Sequence, residues 1–329
     1  MPSDRPIFVV GCPRSGTTML QLMLHAHPRI ALPPETRFLL AAYQQRQKFG
    51  DLNDEGHRRD LGKWLVKTSQ FGDLGLNKEQ VVEAVVAAPP TLGSALGTIF
   101  KMYAERFGKP RWGDKRPLYL RNLPVILRLF PDAQIINIMR DGRDCVASLK
   151  ETPWSSNEFQ TLVDTWTESA DASLLAARRY PKDVYHQVRY EDLVADPEPY
   201  LRGICDFLEE EFDPAMTKPS DLASVAVPKY KSWHKLTHQE VTTERVQSWR
   251  SRLTEEEIAQ CETAFGDRLA YFGYEPSQPV ARSARFRSSA RLVAKHRLGP
   301  ARNAARQFLK STPAEPPIAA RLTSRQTAG

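Results

Sequence analysis

Cysteine is scarce in this chain of 329 residues: the four present, Cys12, Cys145, Cys205 and Cys261, are too widely separated to form ligand pairs. Such spacing argues against a disulfide framework and points to a reducing compartment. Long apolar runs are missing too, since no stretch reaches the roughly 18 to 20 uncharged residues that a bilayer span needs. Met1 to Pro6 leads into a strand-like run without a secretory h-region, so the cytoplasm is the expected location. Metal-like spacing is confined to His25-x-His27 and His234-x3-His238. Neither pair has cysteine or acidic company that would complete a ligand set, so no metal is expected. No internal repeat is visible.

What the chain does have is a globular composition, 41% hydrophobic and 26% charged. That fits one large domain, or a domain with an appendage. The net charge of +7 suggests nucleic acid until it is located along the chain. Residues 277–329 hold eleven Lys or Arg and one acid, Glu315, a net of +10, which leaves the first 276 residues at −3. The body is mildly acidic, any polyanion attraction belongs to the tail, and nucleic acid is not an expected partner.

The hydrophobic pattern reads as α/β, a central parallel sheet flanked by helices. A strand is expected at Ile7 to Val10, a tight turn at Gly11-Cys-Pro-Arg-Ser-Gly16, and a helix over Thr17 to Ala26 with Met19, Leu20, Met23 and Leu24 at helical spacing. The theme returns at Ile135 to Met139, the turn Arg140-Asp-Gly-Arg-Asp144, and a short helix from Cys145 to Lys150. Asp141 and Asp144 are expected to cap that helix, and Arg143 to be structural. Two such turns place a site at the carboxyl edge of the sheet. Between them, 38–110 reads as mostly helical and Pro117 to Phe130 as one helix. Downstream, Asn157 to Arg179 reads as a long helix, Val184 to Tyr190 as a strand and Pro197 to Leu208 as a helix. Residues 211–252 are irregular by pattern, Thr254-Glu-Glu-Glu257 starts another helix, and the globular unit closes near 276.

Gly11-x4-Gly16-Thr17-Thr18 has the glycine spacing of a phosphate-binding loop, whose backbone N–H groups curl round an oxyanion at a helix N-terminus. The lysine that a Walker A loop carries after its second glycine is here Thr17, and the positive charge sits at Arg14 instead. Without that lysine, phosphoryl transfer from a nucleoside triphosphate is poorly served. A sulfuryl group carries less charge, and fixed cations and N–H donors suffice to move it without magnesium. Taken alone, the loop could also be a strand-to-helix turn that binds nothing.

Pro6 to Leu24, with its core Pro13-Arg-Ser-Gly-Thr-Thr18, resembles the 5′-phosphosulfate loop of sulfotransferases that use 3′-phosphoadenosine-5′-phosphosulfate (PAPS). The branch most resembled is that of the tyrosylprotein sulfotransferases and the bacterial enzymes similar to them, over about residues 5–275. The resemblance implies a fold related to P-loop kinases and a cofactor site shared by Arg14, Ser15, Gly16, Thr17 and Thr18 with Arg140 and Ser148. The latter two stand where the family holds the 3′-phosphate, a planar guanidinium fork and a neutral donor. Tyr190 is either a further nucleotide contact or core packing.

The same resemblance makes Glu35, in Pro28-Arg-Ile-Ala-Leu-Pro-Pro-Glu35-Thr-Arg37, the general base. Partial burial is expected to lift its pKa toward working pH. Lys115, in Trp112-Gly-Asp-Lys115-Arg-Pro117, becomes the cation that steadies the leaving phosphate oxygen, with Arg14 sharing the task. Read without the family, Glu35 is a helix-start charge and Lys115 a solvated surface lysine. The likeness thins near Trp249, where Ser248 stands in place of a lysine, and at Thr152, in place of another basic residue.

The expected reaction moves a sulfuryl group from PAPS to a hydroxyl of a small molecule, glycan or lipid, releasing 3′,5′-ADP. Protein tyrosine is not the expected acceptor, because the chain shows neither the anchor nor the disulfide pattern of the secretory enzymes. The alternatives are a P-loop kinase, which the missing lysine opposes, and a silent nucleotide-binding adaptor. The basic tail, 277–329, admits two readings. Its regular Arg and Lys among Ala, Leu, Val and Phe286 allow an amphipathic helix on an anionic inner membrane face, or a solvated extension.

Overall fold

The computed structural model describes residues 3–218, 242–277 and 316–320. Among these, five strands form one sheet: β1 (Ile7–Gly11), β2 (Ile30–Ala31), β3 (Arg111–Lys115), β4 (Gln134–Met139) and β5 (Tyr185–Arg189). All pairings are parallel, in the order β2-β3-β1-β4-β5. Consecutive strands β1 and β2 are therefore not neighbours, and the chain crosses over by helices each time.

Both faces of the sheet are covered, and its central strands β1 and β4 accordingly read as nearly continuous apolar runs. On β1 the period of two sends Ile7 and Val9 into one core with Leu20, Met23 and Leu24 of helix α1 (Thr17–Ala26). Phe8 and Val10 point the other way, into a core with Trp112, Tyr119 and Phe130. That second core is filled by helices α2 (Phe38–Gln45), α3 (Glu55–Leu65), α4 (Lys78–Ala87) and α5 (Leu92–Glu105). At the amino edge of the sheet the fully buried Arg111 donates to the Leu208 carbonyl, Glu210 and Gln134. A buried guanidinium needs such partners, since an unpaired one would cost several kcal/mol, on the order of 3 to 5.

Several elements differ from the sequence reading. Pro117 to Phe130 is not one helix: a 3-10 turn covers Pro117–Asn122, and helix α6 follows at Leu123–Leu129. Pro124 lies in the first turn of α6, where its missing N–H costs nothing, whereas inside one long helix it would break the ladder. The helix expected from Cys145 begins earlier, as α7 (Gly142–Lys150), because the Asp141 side chain accepts the Arg143 N–H as N-cap. Asp144 does not cap; its partners lie elsewhere. Helices α8 (Phe159–Arg179), α9 (Tyr190–Ala195) and α10 (Pro197–Leu208) follow, and the helix expected from Thr254 runs over Glu255–Phe265.

One short piece of the tail sits on the body. The Leu92 and Gly93 N–H groups at the start of α5 donate to the Pro317 and Ile318 carbonyls, at 2.9 and 2.8 Å. The Ala320 N–H donates to the Leu129 carbonyl at 2.7 Å, and Ile318 is buried in the core. The rest of the basic segment, and His234 and His238, lie outside the described residues. No helix among the described residues is long and apolar enough to cross a membrane.

Candidate active site

Four neighbouring parallel strands deliver their carboxyl ends to one place. Pairing of Gly11 with Ile138 sets the loop after β1 beside the loop after β4, while Lys115 closes β3 and Tyr190 follows β5. The loop after β1 turns tightly, with the Ser15 N–H donating to the Cys12 carbonyl and Arg14 at a φ of 71°. Gly16, at φ 97°, is the N-cap of α1. A side chain there is excluded on a second ground, since a Cβ would stand 2.5 Å from the Tyr190 ring. No side chain caps the first turn of α1, and no acid lies in it. Its N–H groups keep their positive end for an anion.

The two loops are in contact. Arg14 donates from Nε to the Ser148 hydroxyl at 3.0 Å, and Arg140 donates from one nitrogen to the Arg14 carbonyl at 3.1 Å. The Arg140 guanidinium stacks on the Tyr190 ring at 4.4 Å. Arg14 titrates below its ordinary value, through burial first and then repulsion from Arg140 and Arg252. Buried guanidiniums that repel one another form a place where an anion relieves the strain. Among the described residues, Ser15 Oγ and Arg140 Nε are buried without a hydrogen-bond partner. Both lie where the resemblance puts phosphate, so the residues present fit a bisphosphorylated nucleotide.

At the β3 end of the same sheet edge Lys115 Nζ donates to Glu35 Oε2 at 3.1 Å and to Thr18 Oγ1 at 3.3 Å. Arg116 pairs more loosely with the other Glu35 oxygen, at 3.9 Å. The Lys115 side chain is buried and that of Glu35 partly open. A carboxylate and an ammonium thus meet beside the first turn of α1. Arg14 was expected beside Lys115, but its side chain turns to Ser148 and joins the Arg140 end instead.

Sequence reasoning missed the role of Asp144. Its fully buried carboxylate accepts from the Gln247 N–H, the Ser248 hydroxyl and the Trp249 N–H, at 2.8 to 2.9 Å, fastening the segment before the helix Trp249–Arg252 to α7. Arg140 also donates to the Arg245 carbonyl. Arg143 stays structural, paired with Asp141 and Glu262 and stacked on Trp249 at 4.0 Å. No local pattern could have shown that Asp144 reaches a segment about a hundred residues away. His25 accepts the Leu32 N–H and His27 the Arg29 N–H, each at 3.1 Å. Among the described residues no group of three or more His, Cys, Asp or Glu is arranged to hold a metal ion.

The family model described as the sulfotransferase family matches residues 6–214, which include both loops, Glu35 and Lys115. The chain belongs to that family. It is a sulfotransferase, and the parallel sheet with its two loops is the sulfotransferase fold. Nodulation protein NoeE of Sinorhizobium fredii is 29% identical over 301 residues, spanning 84% of this sulfotransferase and 68% of its own length. The protein-tyrosine sulfotransferase of Drosophila melanogaster is 25% identical over 281 residues, 82% of this chain and 52% of that protein. The chain therefore spans about half of that relative. Among solved structures, the sulfotransferase domain of the Synechococcus PCC 7002 olefin synthase aligns with a TM-score of 0.55 and 26% identity. That alignment covers 84% of this sulfotransferase and 97% of that chain.

Proposed function

We propose that the chain transfers the sulfuryl group of PAPS to the hydroxyl of a small molecule, glycan or lipid, with Glu35 as base and Lys115 as the stabilising cation. PAPS, when bound, supplies the sulfuryl group and departs as 3′,5′-ADP. Arg14, Arg140 and Ser148 hold the 3′-phosphate end. Ser15, Gly16, Thr17 and Thr18 hold the 5′ end through loop N–H groups and hydroxyls. Tyr190 carries the Arg140 guanidinium on its face.

The observation that carries this reading is the meeting of Lys115 and Glu35 over the first turn of α1. Glu35 takes the acceptor hydroxyl's proton as attack proceeds. Lys115 meets the negative charge that grows on the leaving phosphate oxygen, which fixed donors can stabilise without reorganising. Glu35→Gln keeps the shape and removes the base, so kcat should fall by about 10² to 10⁴ with 3′,5′-ADP binding unchanged. Full turnover by that variant would remove Glu35 from the role; nucleotide binding with no turnover in the unsubstituted chain would favour the silent adaptor.

For the basic segment 277–329 the proposal is peripheral contact with an anionic membrane from the cytoplasmic side, supported by its net charge of +10. Co-sedimentation with anionic liposomes should drop on Arg285→Gln, Arg287→Gln and Arg291→Gln together. Equal binding by the triple variant ends that proposal.

A further inference from the structure

We infer that Asp114 is the positioning residue that holds Glu35 and Lys115 in register across two separate segments of the chain. The inference rests on the roles proposed for those two residues and adds a group that none of the sequence motifs pointed to.

Asp114 lies on β3, paired with Phe8 of β1, and is fully buried. Its Oδ2 accepts from the Thr36 hydroxyl at 2.8 Å and the Tyr119 hydroxyl at 2.6 Å. Its Oδ1 accepts from the Lys115 N–H at 2.8 Å. Thr36 is the residue after Glu35, and Lys115 the residue after Asp114. One carboxylate therefore grips the chain next to the base and next to the cation, although these stand about 80 residues apart in sequence.

Strand geometry explains the division of labour. Successive side chains on β3 point to opposite faces, so Lys115 can reach Glu35 and Thr18 only if Asp114 points the other way. A buried carboxylate without a cationic partner is expensive unless each lone pair is used. No arginine or lysine pairs with Asp114 among the described residues. Its partners are two hydroxyls and one N–H, and the like charge of Glu35 acts on it. Here two of the bonds fasten segments that carry the paired groups, the Glu35 loop and the end of β3, while the third holds the turn that follows.

The test separates positioning from stability by removing one hydroxyl at a time. Thr36→Val keeps the shape and releases the Glu35 loop; Tyr119→Phe loosens the same carboxylate without touching that loop. Turnover is followed with radiolabelled PAPS and para-nitrophenol as the probe acceptor, or water in its absence. Dissociation of 3′,5′-ADP is measured alongside. A second readout needs no cofactor: the rate at which an activated ester acylates Lys115, read by mass spectrometry.

Thr36→Val should lower kcat by about tenfold to a hundredfold, with KM for PAPS and 3′,5′-ADP binding within about twofold. It should also speed acylation of Lys115 severalfold as the ammonium loses its carboxylate. Thr36→Ser should restore both values, and Tyr119→Phe should leave kcat within about threefold despite a similar loss in Tm. If Thr36→Val does not fold, Thr36→Ala removes the hydroxyl with less bulk and carries the same expectation. Unchanged kcat and acylation in the hydroxyl-less variants overturn the inference, as does an equal fall in Tyr119→Phe. If the unsubstituted chain turns over no PAPS, the functional reading has failed, and the Lys115 acylation rates still decide the positioning claim.

Discussion

Arg14 reaches from the loop after β1 to donate to Ser148 on α7, at 3.0 Å, and that bond makes one site of two loops more than 120 residues apart. Neither residue has a role in the cores beneath. Arg140 reinforces the junction through the Arg14 carbonyl, and among the described residues its own Nε has no partner. Its guanidinium lies 3.7 Å from the Asp144 carboxylate, and Arg14 beside it adds a second positive charge for an anion to meet.

If that anion is a 3′-phosphate, the defect of a variant should depend on the ligand. Arg140→Ala should weaken 3′,5′-ADP by about a hundredfold, and Ser148→Ala by about three- to tenfold, as for a charge-assisted and a neutral hydrogen bond. Adenosine 5′-phosphate, which lacks the 3′ group, should bind the variants and the unsubstituted chain alike. Calorimetric titration of both ligands checks this; an equal loss for the two would place Arg140 elsewhere.

Asp114 should make stability fall as pH rises through the acid range. Burial, set against the bonds from Tyr119, Thr36 and the Lys115 N–H, lifts its pKa from 3.8 to about 6. Between those values the folded chain holds a proton that the unfolded chain has lost, so stability declines with rising pH and the full cost is reached above about 6. Below 3.8 both states are protonated and the term vanishes. Asp114→Asn removes the titration and should gain about 2 to 3 kcal/mol on the unsubstituted chain from pH 4 to 7. Parallel Tm curves for the two proteins across that range would contradict it.

The docked piece Pro316 to Ala320 should matter to the whole molecule. Truncation after Ser277 exposes Ile318's site and leaves the Leu92 and Gly93 N–H groups and the Leu129 carbonyl without these partners. Each group so stranded costs about 1 to 3 kcal/mol where water does not replace the bond, so Tm should drop by several degrees. Gly93→Ala should act similarly, because a Cβ there would stand 2.5 Å from the Ala320 nitrogen and press on the Leu129 carbonyl. An unchanged Tm in both proteins would mean the contact carries no weight.

Local signals in the sequence were enough for elements bounded by strong punctuation. Gly16 and Pro197 mark the starts of α1 and α10, whose apolar spacing carries each helix to its observed end at Ala26 and Leu208. The two-residue β2 has no such signal, because so short a strand exists only through its pairing with Arg111 and Trp112. In the site, the loop residues and the Arg140/Ser148 pair were visible from glycine spacing and family likeness. The three hydrogen bonds that Asp144 accepts and the tie between Thr36 and Asp114 were not. Those contacts join distant segments through a single carboxylate, and an aspartate beside a helix or strand looks the same in sequence whether it caps, solvates or anchors.

The most direct measurement is the thermal stability of the unsubstituted chain with 3′,5′-ADP compared with ATP and Mg²⁺. At a ligand concentration one hundred times its dissociation constant, binding adds about 2.7 kcal/mol, an upward shift of several degrees. The account predicts that shift for 3′,5′-ADP and a much smaller one for ATP with Mg²⁺. Stabilisation by ATP and Mg²⁺ alone, with none by 3′,5′-ADP, would contradict it.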